Sequence, residues 1–206
     1  MSKFYLLIKV FSMLCILMGS ISYALTPDQV NMVIVQPGEV LNANFVQTRY
    51  FVGLPKPIIS MGSIEIWGNK GLVWQTKQPF PSSIIISESG IYQKDTNNDQ
   101  FFNKITPIAS GAGIFKAVSN ILNGSFTANN AQDFDVEILP VSTIDKWHVK
   151  LTPNRAPINK IINAIDVVVD KYIKQITIYR PNGDYDVIIL DSHITSAVKN
   201  KTWQYD

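Results

Sequence analysis

Ile173-Lys174-Gln175-Ile176-Thr177-Ile178-Tyr179-Arg180-Pro181-Asn182-Gly183-Asp184-Tyr185-Asp186-Val187-Ile188-Ile189-Leu190 places two β-branched runs on either side of Pro-Asn-Gly-Asp. Branched side chains pack well on a pleated surface, and Asn-Gly supplies the backbone freedom a tight reversal needs. The stretch predicts an antiparallel hairpin. The same period of two runs through most of the chain: 41–51, 63–67, 71–76, 83–87, 90–94, 134–139, 147–152, 164–170 and, past the hairpin, 195–203. Turn formers such as Gly68-Asn69-Lys70-Gly71 and Asn97-Asn98-Asp99 separate these runs. Short strands joined by hairpin-length loops predict one curved antiparallel sheet or barrel.

Two segments break the period. Thr26-Pro27-Asp28 has an N-cap followed by proline at the first helical position, and Val30, Val33 and Ile34 share a helical face until Pro37-Gly38. This predicts a helix of about ten residues. Thr106-Pro107 repeats the start signal, and Ile108, Ala112, Phe115, Val118 and Leu122 recur at helical spacing before Asn123-Gly124. An amphipathic helix set between strands is expected there. Ser110-Gly111-Ala112-Gly113 weakens its first half, since glycine costs about 1 kcal/mol of helicity per residue. That half reads as a loop or hinge, and the helix as a core plug or a moving lid.

Ahead of these lies an apolar run, Phe4–Ile8 and Val10–Met18, flanked and broken by Lys3 and Lys9 and short of the roughly 20 residues that span a bilayer. Ser22 and Ala24 put small residues at −3 and −1 of a cut after Ala24, so residues 1–24 read as a signal peptide and 25–206 as a single domain. An acylated Cys15 fits less well because Met13 and Leu14 before it are bulky; an uncleaved anchor is the other alternative. The cut removes two lysines and the single cysteine, leaving 16 basic and 16 acidic residues from 18 and 16. An exported chain without thiols relies on its core rather than on disulfides.

The composition closes much of the chemistry. Among 206 residues 46% are hydrophobic and 17% charged, which excludes a disordered tail, and a net charge of +2 gives no footprint for nucleic acid. One cysteine and two histidines leave little for a metal site. His148 alternates with Trp147 and Val149 and should face solvent; Asp191 and His193 should share a strand face without Ser192. No Gly-x-Ser-x-Gly elbow, Walker loop or dinucleotide fingerprint is present. Asp133, Asp135 and Glu137 fall on one strand face, which reads as a solvated face more readily than as a calcium site. What stands out is apolar surface on both strand faces, in Pro57-Ile58-Ile59, Ile84-Ile85-Ile86 and Val187-Ile188-Ile189-Leu190. Such a sheet either packs on one side and lines a cavity on the other, or is covered on both.

Phe45-Val46-Gln47-Thr48-Arg49, the Ser60-Met61-Gly62 turn, Gly71-Leu72-Val73-Trp74 followed by Pro79, Trp147-His148-Val149-Lys150-Leu151-Thr152-Pro153 and the closing hairpin occur in this order over most of the chain. As a set they resemble the LolA-type carriers of outer-membrane lipoproteins, and above all the LolA-like relatives with Gly-Leu-x-Trp found with lipid-transport and aryl-polyene gene clusters. The resemblance implies a mainly β (α+β) fold: a strongly curved antiparallel sheet forming an incomplete β-barrel with a helical lid over an apolar cavity. It implies a monomeric, non-enzymatic periplasmic chaperone without cofactor or metal, the alternative being an envelope interaction module or a non-enzymatic subunit of a lipid-export machine. Acylated cargo, lipoprotein or other lipid, would pass from an inner-membrane donor complex to an outer-membrane acceptor. Phe45, Trp74, Ile86, Phe115 and Val149 would be cavity walls; Ile108, Phe115, Val118 and Leu122 would belong to the lid, with the early helix from Pro27. The family carries Arg-Pro shortly before the strand tryptophan, and that arginine helps tie the lid shut. Here Trp67-Gly68-Asn69-Lys70-Gly71-Leu72-Val73-Trp74 has neither residue, so Lys70 or Arg49 would serve as the latch, or closure and cargo differ.

Overall fold

A computed structural model describes residues 32–87, 89–94, 102–105, 119–123, 134–139, 146–199, 202–203 and 205. Eleven strands follow in chain order: β1 (Glu39–Tyr50), β2 (Ile58–Trp67), β3 (Gly71–Gln78), β4 (Ser82–Ser87), β5 (Gly90–Lys94), β6 (Phe102–Ile105), β7 (Phe134–Leu139), β8 (Trp147–Pro153), β9 (Ala164–Val169), β10 (Ile173–Tyr179) and β11 (Tyr185–Ala197). They form one curved sheet that does not close, in the order β6-β5-β4-β3-β2-β1-β11-β10-β9-β8-β7. All ten neighbouring pairs are antiparallel. Each half of the chain is a meander. The halves join along the long β1–β11 pairing at the centre, and the connection from β6 to β7 links the two edges of the sheet.

The β10–β11 hairpin forms where its sequence places it. Gly183 adopts φ +87°, its N–H donates to Arg180 O at 3.1 Å, and Arg180 N–H donates to Asp184 O at 2.9 Å. Glycine thus takes the left-handed position of a three-residue loop. Elsewhere the sheet departs from the sequence reading. β2 begins at Ile58 rather than Ser63, so Ser60-Met61-Gly62 lies inside a strand, at a register shift against β3, and is not a turn. β6 was not expected. The hairpin's second run continues into the start of the run read as 195–203 as one strand, β11, kinked where Ser192 takes φ +54°, and the chain leaves the sheet after Ala197.

Alternation divides the side chains between two faces. On the inner face one core cluster runs from Ile91 on β5, through Ile86, Trp74, Leu72, Ile64, Ile66, Phe45 and Leu41, to Leu190, Ile188, Ile176, Val167, Val149 and Phe134 on β7. Ile121 and Leu122 are bedded on it, in a helical turn at 119–122 that ends with Asn123 N–H on Ser119 O at 3.0 Å. The stop expected at Asn123-Gly124 coincides with that end. Most of the expected second helix, including Ile108, Phe115 and Val118, lies outside the described residues. So do the signal peptide and the start of the first helix. Residues 32–36 are not helical, contrary to expectation: Val33 N–H donates to Lys171 O at 2.9 Å, which ties this segment to the β9–β10 turn instead. Beyond residues 119–122, the described residues contain one short 3-10 turn, Ile158–Lys160. Among the described residues no helix is long and apolar enough to cross a membrane.

The outer face carries a second, smaller cluster. Val40, Trp67 and Ile85 are covered by Trp203 of the C-terminal tail, with Val73, Tyr92, Val198 and Tyr205 around them. Val198 N–H donates to Gly38 O at 2.8 Å and so turns the tail onto this face. The apolar run Ile84-Ile85-Ile86 is thereby covered on both sides, inside by the main core and outside by the tail.

Candidate functional site

The middle of the inner face is built around a missing side chain. Phe45 on β1 stands directly opposite Gly62 on β2, and Trp74 on β3 is one strand further on. With no Cβ at Gly62 the two rings meet across β2, centroids 4.4 Å apart and tilted by 40°, a favourable geometry for aromatic pairs. A Cβ there would lie 1.9 Å from Gln75 O and 2.9 Å from the Phe45 ring. Ile86 continues this wall on β4, and Val149 is buried on the opposite wing in the same cluster. The expected wall residues Phe45, Trp74, Ile86 and Val149 therefore share one apolar face, and Leu122 is packed onto it.

Leu122 borders a cavity of about 10 Å³ together with Met32, Val33, Leu41, Ile64, Ile66, Tyr172, Ile173, Leu190 and His193. That is roughly one water's worth of space. His193 is the polar exception in its wall. Its ring stacks on Tyr172 at 4.8 Å, and Nε2 lies 3.0 Å from Ile173 O. A carbonyl only accepts, so Nε2 carries the proton and Nδ1 is left a buried acceptor without a partner. Burial, and then the charge of Lys174, push the histidine below its ordinary range. Asp191 and His193 do not share a face: Asp191 pairs with Asn44 and is exposed, and the kink at Ser192 turns His193 inward. His148 stands on the outer side as expected, 3.7 Å from Asp166. Among the described residues no group of three His, Cys, Asp or Glu could hold a metal ion.

The hairpin end of the inner face is charged. Asp186 is fully buried, yet it lies opposite Arg49 across β1–β11. Arg49 Nε donates to Asp186 Oδ1 at 2.6 Å, and Arg180 Nη2 donates to Oδ2. Two guanidinium groups thus hold one carboxylate, and Arg180 Nη1 is buried without a partner. Next to them Asp184 accepts Val52 N–H at 2.9 Å, and that bond holds its carboxyl below the usual range, with Asn182 and the two arginines assisting against some desolvation. Of the two expected latch residues, Arg49 is engaged with Asp186, whereas Lys70 sits at the opposite end, in the β2–β3 turn, its N–H on Trp67 O at 3.1 Å. Sequence reasoning passed over Asp186, Arg180 and Trp203. Their partners are fixed by strand register and by the path of the tail; the one local hint was a charge set within an apolar strand at Asp186.

No protein-family model and no curated protein matches the sequence. Solved structures similar to the chain include a LolA superfamily protein from Nitrosomonas europaea, 10% identical over 87% of this chain and 96% of that one, with a TM-score of 0.43. MucB from Pseudomonas aeruginosa, solved with MucA, is 11% identical over 79% of this chain and 54% of its own, with a TM-score of 0.40. A putative outer membrane lipoprotein-sorting protein domain from Vibrio parahaemolyticus is 7% identical over 77% and 86%, with a TM-score of 0.35.

Proposed function

We propose that the protein is a periplasmic carrier that shelters the acyl chains of a lipoprotein or another lipid while they pass between the two membranes, making and breaking no covalent bond. The observation that carries this reading is the single apolar inner face, continuous from β5 to β7, on which Ile121 and Leu122 rest as separate elements rather than as strands. The LolA-type motifs along the sequence support it.

Energetics decide how such a carrier works. Burial is worth about 0.8 kcal/mol per CH₂, so a chain of roughly fourteen carbons gains about 10 kcal/mol at most. The cavity beside Leu122, about 10 Å³ among the described residues, is far smaller than the roughly 300–1,000 Å³ that drug-sized ligands occupy. In this reading the acyl chain enters where Leu122 now packs, and the segment that includes Leu122 is displaced. Its lost packing then offsets part of the gain, which keeps release feasible. In this reading the residues from about Pro107 to Leu122 form a lid over Phe45, Trp74, Ile86 and Val149. Lys70 and Arg49 are the candidates for its latch.

Native mass spectrometry of the exported protein, purified without detergent and followed by organic extraction, tests the reading. A copurifying acylated species is expected. An empty protein that also refuses a fluorescent acyl probe would turn the assignment to an envelope interaction module.

A further inference from the structure

In this antiparallel sheet the β1–β2, β3–β4, β8–β9 and β10–β11 connections all fall at one end. Two of these hairpins push large apolar side chains into water. At the β1–β2 tip Val52 is 70% and Leu54 56% exposed, with Ile58 also exposed; at the β3–β4 tip Phe80 is 81% exposed. Exposed apolar groups gathered at one place need a reason, because isolated ones are ordinary and clustered ones mark contact surfaces. Pro79 and Pro81 flank Phe80 and restrict its backbone, so holding the ring out costs little further entropy.

The charges at these tips are of one sign. From Asn44 to Ile64 and from Gly71 to Ser87 the two hairpins contain no acidic residue, while Lys56 and Lys77 are exposed. Among the described residues, both carboxylates near the tip of the neighbouring β10–β11 hairpin are engaged, Asp184 with Val52 N–H and Asp186 with the two arginines. We propose that this hairpin end docks on the anionic headgroup layer of a phospholipid bilayer, with Phe80, Leu54 and Val52 entering the acyl boundary and Lys56 and Lys77 resting among the phosphates. Apolar side chains standing on separate tips suit a fluid boundary, which needs no pre-shaped pockets. Basic residues beside them add attraction to anionic lipid, as in other interfacial anchors. The proposal stands independently of acyl carriage: a protein that takes up no acyl probe can still dock in this way.

The test places a reporter at the tip. Phe80→Trp protein, purified as the cell exports it, is mixed with vesicles of phosphatidylethanolamine and phosphatidylglycerol, and its emission is compared with that of the parent to isolate position 80. We expect a blue shift and quenching by brominated acyl chains, both reduced on phosphatidylcholine vesicles and in about 1 M salt, where the Debye length is near 3 Å. Leu54→Asp combined with Phe80→Asp should weaken vesicle binding roughly 100-fold, from two apolar side chains at about tenfold or more each. Its unfolding midpoint should hold, since both residues are exposed. A position 80 that stays in water and unquenched overturns the proposal, as does a double variant that binds vesicles like the parent. If the double variant instead turns a parent dimer into a monomer, the tips are a self-association surface and the proposal is also overturned.

Discussion

Gly62 and His193 each do something that no other residue at their place could. At Gly62 an added Cβ meets backbone on one side and the Phe45 ring on the other, and backbone cannot give way cheaply. Gly62→Ala should therefore cost about 3 kcal/mol, read as a lower denaturant midpoint at unchanged slope. His193 acts through its proton. Burial and Lys174 hold it below its ordinary value, with the Ile173 carbonyl, Asp170 and Asp191 opposing, so the unfolded chain takes up a proton before the folded one does. Stability is then complete above about pH 6.5 and is lost as pH falls through the window between that value and the lower folded one. The sequence has two histidines, so the comparison belongs in a His148→Gln background. There, melting temperature should fall between pH 7.5 and 5, and adding His193→Gln should flatten the fall. A parent curve already flat in that window would contradict the assignment.

At the scale of elements the C-terminal tail matters most, because it converts one exposed apolar strand face into a second core. Trp203 packs on Trp67 at 5.7 Å and over Val40 and Ile85, but its Nε1 is buried with no partner. Trp203→Ala should cost about 3 kcal/mol by exposing that cluster. Trp203→Phe, which keeps a ring and removes the orphan donor, should stay within about 1 kcal/mol of the parent. Denaturant unfolding of both separates packing from the indole N–H. The tail also marks where the sequence stops being readable. Phe45, Trp74, Ile86 and Val149 were grouped by the family resemblance and not by the alternation, whereas the hairpin at Gly183 was legible because period two and a left-handed glycine are local signals. The kink at Ser192 was not: serine carries no marker for φ +54°, and missing it put Asp191 and His193 on the same face. Past the kink, the strand-like alternation read up to 203 fails: residues 198, 199, 202 and 203 lie outside the sheet. The Arg49–Asp186 pair lies 137 residues apart in sequence, and only register brings it together.

For the molecule as a whole, the proposed carrier role gives the apolar face of the open sheet two alternative occupants. The chain's own 119–122 turn packs on it through Ile121 and Leu122, and in that role an acyl chain would replace at least part of that packing. Competition of this kind makes stability and binding move in opposite directions. Leu122→Ala removes contacts from the closed form and should lower unfolding stability by about 3 kcal/mol. If Leu122 belongs to a lid, the same loss lightens the work of displacing it, and a fluorescent acyl probe should bind more tightly, by up to about 100-fold if the whole difference is recovered. If Leu122 is instead fixed core, or a direct contact of the acyl chain, the variant should lose stability and affinity together. Unfolding and probe titration on the one variant therefore separate a lid from a wall. The Asn123 N–H bond to Ser119 O reports the same event by hydrogen exchange, since a displaced turn should exchange faster with probe bound than without it.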